Sequence, residues 1–468
     1  MNLNLLKKTD SYKVSQAVQY PPGTTQIYTY LSARGLADDW PFGDDLPEMT
    51  FFGLQYQIKK YFEGQVVTEG KVTEAKKFWD AHFGAPVFQA DKWMYIVEKH
   101  NGYLPIHIKA LPEGTVVPVG TVLMTIENTD PECFWLTNYL ETLLVQLWYP
   151  SVIASRSREM KKMLYAALKK SGDPSLIDFK LHDFGYRGCT CDEQAAIGGA
   201  AHLINFMGTD TAPGLDMLMD YYNTEMPGFS IPATEHSTIT SWGRSRESDA
   251  ILNHLNQYPS GLIACVMDSY NVYDATRDIV GGKLKDKIME RDGTFVVRPD
   301  SGYPPYVVID LLEILRDTFG CKLNEKGYEV LDPHVRIIQG DGIDPAMLEK
   351  VLTRMIDHGW SADNIAFGSG GGLLQKDANR DTFKFAAKCS SVTIDGMDFE
   401  VYKDPVTDTG KRSLRGKRAV VRDAAGLPVN VHEDDMEGRE NLLKTVFMNG
   451  KLLKETNLSE MRNLSTVW

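Results

Sequence analysis

The sequence predicts an α/β protein: a central β/α barrel with a β-rich domain built from both terminal regions. Three observations carry this. The middle of the chain repeats units of short apolar strand, polar turn and helix, which calls for a parallel sheet. The polar motifs sit at the C-terminal ends of those strands, where a barrel collects its site. On either side the chain changes to short β-rich runs punctuated by Pro and Gly. The expected division is 1–150 with 389–468 for the β-rich domain and its N-terminal helices, and 151–388 for the barrel.

Taken in order, residues 1–8 (MNLNLLKK) form a short apolar patch without the charged start and cleavage site of a signal peptide. Residues 26–31 (QIYTYL) alternate like a strand, and 51–62 read as an aromatic helical stretch. Residues 103–126 hold short β-runs set off by Pro105, Pro112-Glu113-Gly114, Pro118 and Gly120. Residues 134–154 are the most membrane-like, yet they carry Asn138, Glu141, Gln146 and Pro150. A buried helix over 134–148 is expected there, then a basic amphipathic helix over 155–170, and no membrane span. From residue 179 come FKLHDFGYRG, INFMGTDT, PATEHST, IACVMDSYN, TFVVRPDSG, VRIIQGDG and NIAFGSGGG, with helices such as 311–319 and 345–358 between them. After residue 388, VTIDGMDFEVYKDP, RAVVRDAAGLP and KTVFMNGKLL return to strands and turns.

Composition narrows the function. The 468 residues are 43% apolar and 24% charged, which excludes bulk disorder. Lys and Arg number 50 against 63 Asp and Glu, a net charge of −13, which disfavours bulk binding to nucleic acid or an anionic membrane. An anion site must therefore be a local cluster of cations. The 6 cysteines are scattered, and Cys189-Thr-Cys191 lacks the usual zinc spacing, so a reducing, cytoplasmic setting is expected.

The strongest chemical motif is FGSGGG at 367–372. Its glycines let the backbone turn sharply and point N–H groups at an anion. It is neither a Walker loop nor a dinucleotide fingerprint, since Leu373 follows. Arg298 and Asp300 in VRPDSG, with Gly340-Asp341-Gly342, add a guanidinium fork and two acceptors. Together these describe a site for a phosphorylated sugar with vicinal hydroxyls. Glu235-His236-Ser237 offers an imidazole beside a carboxylate, for which reactive and structural roles are both open on local grounds. His182-Asp183 is equally open, and Phe184 by itself reads as core. Cations at Lys403, Lys411 and Arg412 surround a turn, for which a solvated basic loop and, in so acidic a chain, a site for a polyanionic ligand are both open.

The ordered set TDSYK (9–13), HDFGYRG (182–188), GTDT (208–211), EHST (235–238), DSY (268–270), RPDSG (298–302), IQGDG (338–342), AFGSGGGLLQK (366–376), KDPVTD (403–408) and VFMNGK (446–451) closely resembles the nicotinamide phosphoribosyltransferases, type II phosphoribosyltransferases, over essentially the whole chain. The resemblance implies an α/β barrel and a homodimer with shared active sites. It implies transfer of 5-phosphoribosyl from phosphoribosyl pyrophosphate to nicotinamide with Mg²⁺, in NAD salvage. It further implies that ATP phosphorylates a histidine to favour synthesis.

Carried over by motif, Phe184 stacks on one face of the pyridine ring and Tyr12 of the partner subunit on the other, while Asp210 and Arg187 contact the carboxamide. His236 is the phosphorylated histidine with Glu235 beside it, and Asp268 lies on the pyrophosphate and Mg²⁺ side. Arg298, Asp300, Gly340, Asp341, Gly370 and Gly371 hold ribose and 5′-phosphate, with Ser230 and Arg380 nearby. Arg34, Lys388, Lys403 and Lys411 meet the pyrophosphate or nucleotide phosphates. Departures are Ala264 where the family often has Ser, and one extra residue in the stretch before Arg380. The other readings are a nicotinate phosphoribosyltransferase, against which an ionised Asp210 argues, and a catalytically idle binding protein on the same fold.

Overall fold

The computed structural model describes residues 4–38, 40–42, 47–407 and 413–467. The chain forms two compact units. One comprises residues 1–155, 217–224 and 377–465; the other comprises 156–216, 225–376 and 466–468.

The first unit is built on a seven-stranded antiparallel sheet. Its order is Met397–Glu400, Phe385–Ile394, Thr24–Ala33, Val122–Asn128, Ile106–Ala110, Lys444–Met448 and Lys451–Leu452. Strands from both ends of the chain thus share one sheet, as expected. Thr24–Ala33 is paired on both edges, and from Ile27 to Ala33 every residue is buried. The alternation of its sequence predicts one wet face, but a wide apolar core covers the sheet. Its tyrosines survive there because their hydroxyls are used: Tyr28 donates to the Arg418 carbonyl (2.9 Å), and Tyr30 accepts from the Leu414 N–H (2.9 Å). The N-terminus is tied down by Lys13, which is buried and bonded to Glu141 (3.0 Å) and Asn138 (3.1 Å).

The second unit carries a six-stranded parallel sheet, ordered Gly208–Thr209, Leu181–Asp183, Ile365–Ser369, Val335–Gln339, Phe295–Arg298 and Ile263–Val266. The segment 229–234 joins its two edges: Phe229 bridges Gly208 and Ala233 bridges Ala264, both in parallel. The sheet therefore curls into a barrel filled by Ala264, Val296 and Ile338, with Phe184, Ile231 and Ala366 packed against them. Helices such as Pro304–Phe319 and Pro345–Asp357 begin with Pro in the first turn, where its missing N–H is harmless.

Two expectations need correction. The helix expected over 134–148 ends at Val145, and the next helix, Trp148–Ser171, starts well before 155. Pro150 does not break it because it lies in the first turn. The amphipathic pattern expected over 155–170 holds only in its second half: Arg156, Ser157, Arg158, Glu159 and Lys161 are all buried, while Lys169 and Lys170 are exposed. Arg156 donates to the Gly372 and Leu373 carbonyls (3.3 and 3.2 Å), and Lys161 pairs with Asp178 (3.0 Å). Among the described residues, no helix is long and apolar enough to cross a membrane.

Candidate active site

The strand ends of the barrel open into a cleft of about 850 Å³. It is lined by nine of the residues singled out from the sequence: Phe184, Arg187, Asp210, Arg298, Asp300, Gly340, Asp341, Gly370 and Gly371. They come from separate strand–turn units, which parallel topology brings to one rim.

Phe184 sits half-buried over the barrel filling. Its ring lies so close to two neighbouring strands that a Cβ at Gly368 would fall 2.0 Å, and one at Gly340 3.0 Å, from Phe184 Cε2. Those glycines are therefore seats for the ring. Beside it, Asp210 Oδ1 accepts from His182 Nε2 (2.8 Å) and from the Ser230 hydroxyl (2.5 Å). Burial alone would push the Asp210 carboxyl up, but His182, Ser230 and the charge of Arg298 together hold it below its ordinary value. The carboxylate is thus ionised, with Oδ1 occupied. Ser230, expected near the ribose and phosphate, is bonded to Asp210. Asp183, fully buried, accepts from the Gly185 N–H (2.7 Å), and burial raises its carboxyl to about 6.

At the other end, His236 opens the helix His236–Thr240. Its Nε2 is 3.0 Å from Asp268 Oδ1 and its Nδ1 is 3.9 Å from Asp300 Oδ2. Its side chain is 41% exposed against 7% for Asp268, so a buried carboxylate holds an accessible imidazole. Glu235 does something else: its carboxylate caps the helix, accepting from the Ser237 N–H (3.1 Å) and hydroxyl. The sequence suggested Glu235 as the orienting acid, but that place is taken by Asp268, 32 residues away. The Asp300 carboxyl is raised by burial and by Asp268 and Asp341, with Arg298 and His236 opposing.

The remaining expected residues lie in the first unit. Burial and the charge of Arg34 push the Lys388 ammonium down, Glu141 opposes, and Lys403 and Arg380 add to the depression. Arg34, Lys403 and Arg380 thus all lie within electrostatic reach of Lys388. Lys411 lies outside the described residues. Tyr12, on Ser11–Val18, is 59% exposed, with Lys13 Nζ 5.4 Å from its ring centroid. Sequence reasoning missed Asp344 and Lys376, which line the cleft and pair at 2.6 Å. Asp344-Pro345 was legible as a helix cap, and Lys376 closes the motif AFGSGGGLLQK, but neither side chain was assigned to the cleft.

A glycine turn, an Arg–Asp pair and an aromatic seat at the strand ends of one barrel suit a phosphoribosyltransferase, and comparison with known proteins gives the chain's family. Residues 179–451 match the nicotinate phosphoribosyltransferase (NAPRTase) family, and the chain belongs to that family. Within it, residues 4–108 match the nicotinamide phosphoribosyltransferase N-terminal domain. A curated protein from Xanthomonas campestris, named nicotinamide phosphoribosyltransferase, is 46% identical over 98% of this chain and 97% of its own. One of the same name from Acinetobacter baylyi is 32% identical over 98% of this chain and 96% of its own. In fold, the chain is similar to a crystal structure of nicotinate-nucleotide pyrophosphorylase from Pyrococcus furiosus, at TM-score 0.62 and 16% identity over 99% of this chain and 94% of that one. Human nicotinic acid phosphoribosyltransferase gives TM-score 0.59 at 15% identity, over 98% of this chain and 92% of that one.

Proposed function

We propose that this enzyme transfers the 5-phosphoribosyl group of phosphoribosyl pyrophosphate to nicotinamide, giving nicotinamide mononucleotide and pyrophosphate. The observation that carries the reading is Asp210, an ionised carboxylate beside the Phe184 ring with Oδ1 already bonded. Its remaining oxygen accepts from an amide NH₂ and repels a carboxylate, which favours nicotinamide over nicotinate. Arg187, which also lines the cleft, reads the same carboxamide.

The pyridine nitrogen already carries the lone pair that attacks the anomeric carbon, so no strong general base is required. Catalysis rests on aiming the ring and on stabilising the leaving group as the sugar gains oxocarbenium character. Phe184 aims the ring. Arg298, Asp300, Gly340-Asp341 and Gly370-Gly371 hold the ribose and 5′-phosphate. Arg34, Arg380, Lys388 and Lys403 meet the phosphates, and Tyr12 covers the ring of the partner's site in a homodimer.

Mg²⁺ would be held on the pyrophosphate side by the hard carboxylate oxygens of Asp268, near Asp300, whose carboxyl is raised by burial and by the charges of Asp268 and Asp341. When bound, it neutralises pyrophosphate. His236 accepts a phosphoryl group from ATP, with Asp268 fixing the imidazole. The free thiols suit a cytoplasmic enzyme.

Purified protein incubated with nicotinamide, phosphoribosyl pyrophosphate and Mg²⁺ should form the mononucleotide and pyrophosphate in equal amounts. ATP should raise the yield and leave an acid-labile phosphate on the protein, absent from His236→Ala. No mononucleotide would refute the transfer reading. Undiminished labelling of the variant would move the phosphate elsewhere.

A further inference from the structure

We propose that Gln375 is a positioning residue that ties the loop carrying Phe184 and Arg187 to the glycine-rich turn, and so sets the distance between ring seat and phosphate cradle. The proposal rests on the reading above and deepens it. Gln375 directly follows Gly371–Leu374, and its backbone N–H donates to the Gly371 carbonyl (3.1 Å). Its side chain then leaves that turn. Nε2 lies 3.0 Å from the Gly185 carbonyl oxygen and 3.0 Å from Cys189 Sγ. One carboxamide thus grips both ends of the loop 185–189.

The fit is close on its other side too. Gln375 Oε1 is buried and accepts no hydrogen bond among the described residues. A Cβ at Gly188 would come within 2.7 Å of it. Leu374, next in line, packs on the same loop: a Cβ at Gly185 would lie 2.6 Å from its Cδ1.

The chemistry gives this brace its importance. Ring and sugar are held by different loops, and the attacking nitrogen must meet the anomeric carbon at near-attack distance. Neither loop need lose its own ligand when the brace is cut. What changes is their mutual placement, so the loss should fall on turnover.

The test compares wild type with Gln375→Met, which keeps the length and removes the donor. The kcat should fall ~10–100-fold while the Kd of nicotinamide alone and of phosphoribosyl pyrophosphate alone change less than about two-fold. Gln375→Glu should regain activity relative to wild type as pH falls, because a protonated carboxyl again donates to the Gly185 carbonyl. Gly188→Ala should reproduce the loss by displacing Oε1, and combining it with Gln375→Met should add little. Unchanged kcat in Gln375→Met would overturn the proposal. So would a loss explained entirely by weaker binding of both substrates and a lowered Tm. Wild-type turnover in the same experiment carries the function itself, so a defect confined to the variants separates the two claims.

Discussion

Asp183 and Asp210 are separated by one strand pairing, yet burial and partners drive them in opposite directions. Asp210 is held ionised by a histidine and a hydroxyl, while Asp183, fully buried, is raised by burial to about 6. Between the unfolded value of 3.8 and about 6, native Asp183 binds more protons than the unfolded chain. Stability therefore falls as pH rises through that window, and the full penalty is present above it. Asp183→Asn keeps an acceptor for the Gly185 N–H and removes the charge. It should gain ~1–3 kcal/mol above pH 6 and nothing near pH 4, as read by denaturant unfolding at several pH values. The identities of Phe184, Asp210, His236, Arg298 and Asp300 as site residues were legible because motif resemblance names them. Their partners were not. That Asp268 rather than the adjacent Glu235 supports His236 depends on which strand ends lie side by side, which local sequence does not encode.

At the scale of elements, the site is a product of strand ends and the glycines between them. The sequence suggested that FGSGGG makes an anion nest; the structure adds that Gly368, its first glycine, is the space in which the Phe184 ring rests. Gly368→Ala should displace the ring by collision at 2.0 Å and raise the KM for nicotinamide at least ~10-fold, with a smaller effect on phosphoribosyl pyrophosphate, as steady-state kinetics would show. The strand–turn–helix units were legible throughout, even for 229–234, whose bridges close the barrel. The helix over 155–170 was legible too, but its start at Trp148 and the burial of its charged residues were not. A row of Arg, Ser, Glu and Lys looks solvated until one sees the carbonyls and carboxylates that meet it inside the fold.

On the scale of the molecule, both chain ends contribute to one antiparallel sheet, as expected from the β-rich flanks. Lys13 secures the N-terminal turn while Tyr12 is left 59% exposed, a large aromatic presented outward from an anchored segment. The shared site proposed above accounts for that exposure. Tyr12→Ala and Phe184→Ala homodimers should each be severely impaired. Equal mixing under subunit exchange should restore activity toward about a quarter of wild type, since half the dimers carry one intact site of two. Failure to recover, with exchange confirmed by differently tagged subunits, would place both aromatics in a site of one chain.

A bonded, ionised Asp210 should make this cleft select an amide over an acid. Competition decides it: purified enzyme, phosphoribosyl pyrophosphate and Mg²⁺, with nicotinamide and nicotinate present together and both mononucleotides quantified. Wild type should convert nicotinamide almost exclusively. Asp210→Asn should lose ~1–3 kcal/mol of transition-state binding for nicotinamide, a roughly 5- to 150-fold drop in kcat/KM, and shift the product ratio toward nicotinate. A wild-type preference for nicotinate, or a product ratio untouched by Asp210→Asn, would contradict the account.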